Sequence, residues 1–226
     1  MVPHAMISEF APHTLKIGNK WELSGAGEIV KIEVLNKTKL IDGVNCIVVR
    51  DIVRKEGAVA EATDDWLAVA RDGNVWYCGE EVKDYEVFAG DKPMNPEFVS
   101  NAGSFKVGRD GDKPGIFFQA TPRAGKLYRE EFSVANAEDL SLVLSTTYSY
   151  GKNSTLDRGV PATLAQLLCE GDCVVLKAFN ANDPGVTAIK YYSPGIGNFL
   201  EVTATVEAVQ LVKCNMDPRC ASLPKP

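Results

Sequence analysis

Between residues 29 and 81, segments rich in Val and Ile alternate with short turn sequences. Three of these turns place Gly after an acidic residue, at Asp42-Gly43, Glu56-Gly57 and Asp72-Gly73. Gly tolerates the positive φ angles of tight hairpins, and Asp72-Gly73 suits a two-residue type I′ turn. The pattern therefore predicts an antiparallel meander. Its strands are predicted at residues 29–39, 44–54, 59–70 and 75–81.

The rest of the chain also predicts strands separated by turns, but these strands are less regularly spaced. Residues 84–125 carry repeated Pro and Gly, which favours short strands at 104–107 and 116–119 joined by surface loops. Asn136 can cap a short helix over 135–144, but an alternating strand over 140–148 fits equally well, and the sequence does not decide between them. Further strands are predicted at 173–180, 187–193, 199–203 and 206–213.

These segments predict a mainly β protein built on a curved antiparallel meander sheet or a partly closed β-barrel, with at most one or two short helices. The 226 residues contain no fixed repeat and no low-complexity linker. We therefore expect an N-terminal tail at 1–18, one β-rich domain at 19–213 and a disulfide-bearing C-terminal tail at 214–226.

Charge and hydropathy exclude two classes of partner. The chain has 30 acidic and 24 basic residues and a net charge of −6, without a long basic run, so a nucleic-acid partner is not expected. The longest apolar stretches are only a few residues long, so no membrane span is predicted. Residues 1–12 lack the basic and apolar regions of a secretory signal.

The cysteines indicate disulfides rather than a metal site. Six cysteines form no CxxC pair, and the two histidines, His4 and His13, fall in the predicted tail, so a zinc site has little support. The spacing instead predicts bridges from Cys169 to Cys173 and from Cys214 to Cys220. Because reducing compartments keep thiols free, oxidised cysteines imply a secreted or periplasmic protein.

The sequence contains none of the common catalytic motifs. It has no phosphate-binding GxxxxGK[ST] loop, no GxGxxG, no HExxH and no GxSxG elbow. With both histidines in the tail, a Ser-His-Asp or Cys-His mechanism would need a distant base. These absences favour a protein that is not an enzyme.

One constellation of polar residues follows from the predicted register. A two-residue turn at Asp72-Gly73 pairs Asp65 with Glu80, and a second such turn at Glu56-Gly57 places Arg50 opposite Thr63. These residues then share one face of the sheet with Trp76, and we take the five as candidate ligand-binding residues. The register also separates Cys46 from Cys78 by two strand spacings, about 10 Å, which predicts no bridge between them.

Directly opposed carboxylates repel one another unless something compensates. Asp65 and Glu80 could share a proton as an acid/base dyad, hold a hard divalent cation, or rest against the Arg50 guanidinium. The alternative is a solvated pair at the end of a hairpin, where water screens both charges. Asp65 and Glu80 are thus weak candidates for metal binding, and no other cofactor is expected.

The sequence also resembles a known group of proteins, and the resemblance is strongest in the meander. Thr38 to Val44, Asp65-Trp66, Asp72 to Tyr77, Gly79-Glu80 and Lys190 to Gly197 are similar to segments of uncharacterised bacterial secreted or lipoprotein-like β-rich proteins. The likeness covers most of the chain from Trp21 to Val212, although Cys78 departs from the aromatic residue expected there. The resemblance implies an exported protein and assigns no catalytic residues.

Three functions remain open on the sequence. The first is an exported, non-enzymatic module that holds a small or apolar ligand on the concave face of its sheet. The second is an enzyme or metal-binding protein that uses the Asp65/Glu80 pair. The third is a structural or protein-interaction module of the cell envelope.

Overall fold

A computed structural model describes residues 14–183 and 185–225, and the expectations for residues 1–13, including both histidines, lie outside this range. Within these described residues, the chain forms fifteen strands and one α-helix, α1, with a short 3-10 helix near its end. The elements are β1 (Lys20–Gly25), β2 (Glu28–Ile41), β3 (Val44–Lys55), β4 (Ala58–Val69), β5 (Val75–Glu86), β6 (Glu97–Ser100), β7 (Phe105–Lys106), β8 (Lys113–Phe118), β9 (Leu127–Arg129), β10 (Glu131–Phe132), β11 (Asp139–Tyr148), α1 (Ala162–Leu168), β12 (Cys173–Asn180), β13 (Thr187–Ser193), β14 (Gly197–Thr203), β15 (Ala208–Cys214) and the 3-10 helix (Pro218–Ser222).

The predicted meander is present as β2 to β5, and its hairpins use tight turns. Asp42-Gly43 and Glu56-Gly57 both have two successive residues with positive φ, between 45° and 83°, as a type I′ turn requires. The Asp72-Gly73 turn differs from the prediction. Ala70 and Asn74 close a three-residue loop, in which Gly73 alone has a positive φ, of 85°.

Two β-bulges shift the register of β3, β4 and β5, and a further irregularity lies between Val34 and Thr38 in the β2–β3 pair. In β3–β4, Lys55 pairs with Ala58 beside the turn, but Val53 pairs with Glu61, so the register has shifted by one residue. In β4–β5, a second irregularity lies at Cys78, between the pairs Trp66–Gly79 and Leu67–Tyr77. Because side chains alternate along a strand, each shift exchanges the inner and outer faces.

The sheet curls into a nearly closed antiparallel barrel. Its order is β10-β8-β5-β4-β3-β2-β1-β15-β14-β13-β12-β11-β9, with β6 and β7 attached to β5. The end strands β9 and β10 are separated in the chain by Glu130 alone, so one segment pairs with β11 and then with β8. At this junction Gly115 is needed for close approach, since an added Cβ would lie 2.1 Å from the Glu130 carbonyl oxygen.

The connection between β11 and β12 covers the outer face of the neighbouring strands. Tyr191, on β13, donates a hydrogen bond of 2.5 Å to the Leu156 carbonyl, and Gly159 lies against Val202 of β14. The buried side of α1, which includes Leu164 and Leu168, joins the same core. This helix was not predicted. For residues 135–148, where the sequence allowed either a helix or a strand, the structure has the strand β11, which begins at Asp139.

All six cysteines form disulfides. The predicted pairs Cys169–Cys173 and Cys214–Cys220 are confirmed, although Cys214 ends strand β15 instead of belonging to a loose tail. The prediction that Cys46 and Cys78 stay apart is wrong, because they are bonded with their Cα atoms 6.6 Å apart. Cys78 is the extra residue of a bulge, and a bulge bends its strand and increases the local twist.

The Cys46–Cys78 bridge lies in a second, smaller core on the outer face of the meander, with Ile41, Val48 and Trp66. Within the part of the chain that the structure describes, no helix is long and apolar enough to cross a membrane.

Candidate functional site

The interior of the barrel contains a cavity of about 410 Å³. Strands from both halves of the sheet line this cavity. Because side chains alternate along a strand, about every second residue of each strand faces inward. One part of the wall is apolar. Its side chains come from β1, β2 and β15: Trp21, Leu23, Val30, Ile32 and Val209. The Trp21 indole nitrogen donates a hydrogen bond of 2.7 Å to the Ile196 carbonyl, which fixes the ring in the wall.

The wall beside it is acidic, beginning with two aspartates of the meander, and Asp51 pairs directly with Ile32 of the apolar part. Asp51, on β3, follows Val49 by two residues, and Asp65, on β4, lies directly opposite Val49. Both carboxylates therefore point inward and line the cavity. The barrel shields them from bulk solvent, although each keeps some surface toward the cavity.

Burial changes the titration of both aspartates. Desolvation, reinforced by the negative charges of Asp65 and Glu61, raises the pKa of Asp51 to about 8. Desolvation also raises the pKa of Asp65, to about 6. The shift is smaller for Asp65 because the Tyr77 hydroxyl donates a hydrogen bond to Asp65 Oδ1 and stabilises the charged form.

More acids gather where the barrel closes. Burial and the charge of Glu131 raise the pKa of Glu80, and burial together with the charges of Asp139 and Glu130 raises the pKa of Glu131. Burial also raises the pKa of Glu130, while the Ser141 hydroxyl donates a hydrogen bond to its carboxylate. Asp139 lines the cavity beside them.

Lys190, on β13, is the one basic side chain among the described residues that line the cavity. It pairs across strands with Glu201, which also faces inward. Burial disfavours the ammonium, but Glu201 and the other surrounding acids outweigh this cost and raise the pKa of Lys190. A single ammonium thus lies among several carboxyl groups.

The structure brings together three of the five predicted ligand-binding residues. Asp65 and Glu80 are paired across β4 and β5 on the inner face, as predicted, and Thr63 is buried on the same face opposite Asp51. Thr63 Oγ1 donates a hydrogen bond of 3.0 Å to Glu61.

Arg50 and Trp76 lie on the outer face, contrary to the predicted register. The bulge beside Arg54 places Arg50 opposite Asp64, with which it forms a two-point ion pair at 2.7 and 2.8 Å. Arg50 therefore does not compensate the Asp65/Glu80 pair. Trp76 pairs with Ala68 because of the three-residue turn, and it lines a separate apolar pocket of about 460 Å³ on the outside of the barrel.

Sequence reasoning missed Asp51, Glu130, Glu131, Asp139, Lys190 and Glu201. A signal existed for two of them. Asp51 follows the alternation Val49, Asp51, Val53, and Lys190 is a single charged residue inside the strand pattern 187–193. Glu130 and Glu131 carried no such signal, because Glu130 lies between two very short strands and Glu131 begins the second of them.

Among residues 14–183 and 185–225, there is no group of three or more His, Cys, Asp or Glu residues arranged to hold a metal ion. Asp65 Oδ1 is already occupied by Tyr77. The arrangement is suited to hold a polar or charged group by hydrogen bonds, beside an apolar surface.

Comparison with known proteins gives no match: no protein-family model matches the chain, and no curated protein or solved structure is significantly similar to it.

Proposed function

We propose that this protein is a non-enzymatic binding module that encloses a small, partly apolar ligand inside its barrel. The observation that carries the proposal is the cavity of about 410 Å³, which falls in the size range of small-molecule sites, roughly 300–1,000 Å³. Its wall combines apolar side chains with a few polar groups, as such sites generally do.

The surroundings of the acid pair favour binding over catalysis. An acid/base dyad needs a carboxylate that is free to exchange its proton with a substrate. Asp65 Oδ1 accepts a hydrogen bond from Tyr77, and Glu80 is not among the residues that line the cavity. We therefore assign the pair to the supporting wall of the cavity.

We also propose that the module works outside reducing compartments, in secreted or periplasmic surroundings. Three disulfides support this proposal, since such bonds persist where thiols are not kept reduced. The resemblance of the meander to exported β-rich proteins agrees with it.

Filling the cavity tests the binding function. Val30→Phe adds a ring to the apolar wall, and we expect it to weaken binding of the neutral dye N-phenyl-1-naphthylamine by about fivefold or more, because the added volume excludes the dye. The measurement is a fluorescence titration with the folded state checked by circular dichroism. Val134→Phe is the matched control, since Val134 is 72% exposed. Equal affinity in folded Val30→Phe and wild-type protein would contradict the proposal.

A further inference from the structure

The chemistry of the inner cavity indicates the class of ligand, an inference that rests on the binding function proposed above. We propose that the cavity binds a small amphipathic amine, with its ammonium group at Asp51 and its hydrocarbon part against the apolar wall. Three features of the cavity support this assignment: its charge, an unpartnered carboxyl oxygen and its mixed lining.

The charge of the lining favours a cation. Asp51, Asp65, Glu130, Glu131, Asp139 and Glu201 face the cavity, whereas Lys190 is the one basic side chain among the described lining residues. A ligand carboxylate or phosphate would add to this repulsion. A ligand ammonium would compensate one of the unpaired carboxylates in surroundings where water screens poorly.

One enclosed polar atom of the cavity lining, Asp51 Oδ1, has no hydrogen-bond partner among the described residues. Buried polar atoms nearly always have partners, so an unpaired carboxylate oxygen indicates a missing donor. An ammonium group offers up to three N–H donors, which fits this need.

The apolar wall separates an organic amine from a simple inorganic cation. Trp21, Leu23 and Val209 offer nothing to a hydrated metal ion, but they bury a hydrocarbon chain favourably. The Phe118 and Tyr192 rings, whose centroids lie 4.9 Å apart, also line the cavity and add to its apolar surface.

The proposal predicts a dependence on pH. Asp51 faces Asp65 and Glu61 on β4, Glu28 on β2 and Lys190 on β13, and its raised pKa of about 8 keeps it mostly protonated at pH 6. An ammonium ligand favours the charged carboxylate, so binding releases a proton. The affinity should therefore increase by about tenfold or more from pH 6 to pH 8.

The test compares three probes of equal chain length by isothermal titration calorimetry at pH 8: octylammonium, octanoate and 1-octanol. We expect octylammonium to bind about tenfold or more tightly than either other probe. Asp51→Asn should weaken octylammonium binding by about tenfold or more and leave octanol binding unchanged. Asp91→Asn is the matched control, because Asp91 is exposed and is not among the residues that line the cavity.

Each contrary result has a distinct meaning. Octanol binding as tightly as octylammonium would overturn the amine assignment while leaving the binding function intact. Unchanged octylammonium binding in Asp51→Asn would also overturn the assignment. If none of the three probes binds and the naphthylamine dye is unaffected by Val30→Phe, both the assignment and the binding function fail.

Discussion

The free energy of unfolding is expected to fall by about 4 kcal/mol as the pH rises from 5 to 8, from the titration of Asp51 alone. The folded-state pKa of Asp51, about 8, lies far above its ordinary value of 3.8, so the folded protein holds a proton that the unfolded chain releases. Its contribution is complete below about pH 4 and is lost as the pH rises through 8. Asp65, with a pKa of about 6, adds to the fall with the same sign.

The other acids with shifted pKa values do not reverse this fall between pH 5 and pH 8. Glu80 and Glu131 also have raised pKa values and therefore reinforce the decline. Asp217 acts in the opposite sense, because its hydrogen bonds with Arg219 lower its pKa, but its contribution is lost only at acid pH. Denaturant unfolding at several pH values between 5 and 8 therefore measures the fall in stability that the buried acids cause.

Asp51→Asn provides the matched comparison for this pH dependence. The amide does not titrate, so the slope of stability against pH should decrease by about one proton, or roughly 1.4 kcal/mol per pH unit. Asp91→Asn should keep the wild-type slope, since Asp91 is exposed. A stability that stays constant or increases from pH 5 to pH 8 would contradict the burial of these acids.

Phe199→Ala is expected to reduce the free energy of unfolding by about 3–5 kcal/mol. Phe199 is fully buried, and its ring lies 6.2 Å from that of Tyr191, which the β11–β12 connection covers. Truncation would leave a cavity in this outer core because its neighbours are held by strands on both sides.

The control for this substitution is Phe98→Ala. Phe98 is 57% exposed and has an edge contact with Tyr85, so the expected loss is less than about 1 kcal/mol. Both variants can be compared by guanidinium unfolding at pH 6. Similar losses for the two phenylalanines would mean that the connection does not bury the outer face of β13 and β14.

The sequence predicts the meander well because its strands and turns are encoded locally. Val and Ile mark β2 to β5, and two of the three acidic-Gly pairs form the expected tight turns. The third, Asp72-Gly73, belongs to a three-residue loop because Asn74 bonds back to Ala70. Either loop length is compatible with this dipeptide, so the local sequence does not distinguish them.

It is harder to predict which face of the sheet a residue occupies than to predict the strand itself. A bulge exchanges the two faces, and its position depends on how the whole sheet curves. The pairing of Asp65 with Glu80 is correct although the turn is one residue longer than predicted, since the bulge at Cys78 restores the register. Between β3 and β4 one bulge changes the register by one residue, and no second change restores it, so Arg50 lies on the outer face. The same bulge at Cys78 accompanies its bond to Cys46.

The acidic cavity depends on contacts that are distant in the chain. Asp51 comes from the N-terminal half, Glu130 from the closure and Lys190 from the C-terminal half, and barrel closure alone brings them together. No spacing in the sequence encodes that closure. Alternation identifies which residues of a strand share a face, but the order of the strands decides what those residues meet.

A crystal structure with 8-bromooctylammonium bound would show where the ligand lies, because anomalous scattering locates the bromine. We expect a bromine peak against Trp21, Leu23 and Val209, with the ammonium group in contact with Asp51. A peak in the outer pocket beside Trp76, or an inner cavity filled only by water at saturating ligand, would contradict this expectation.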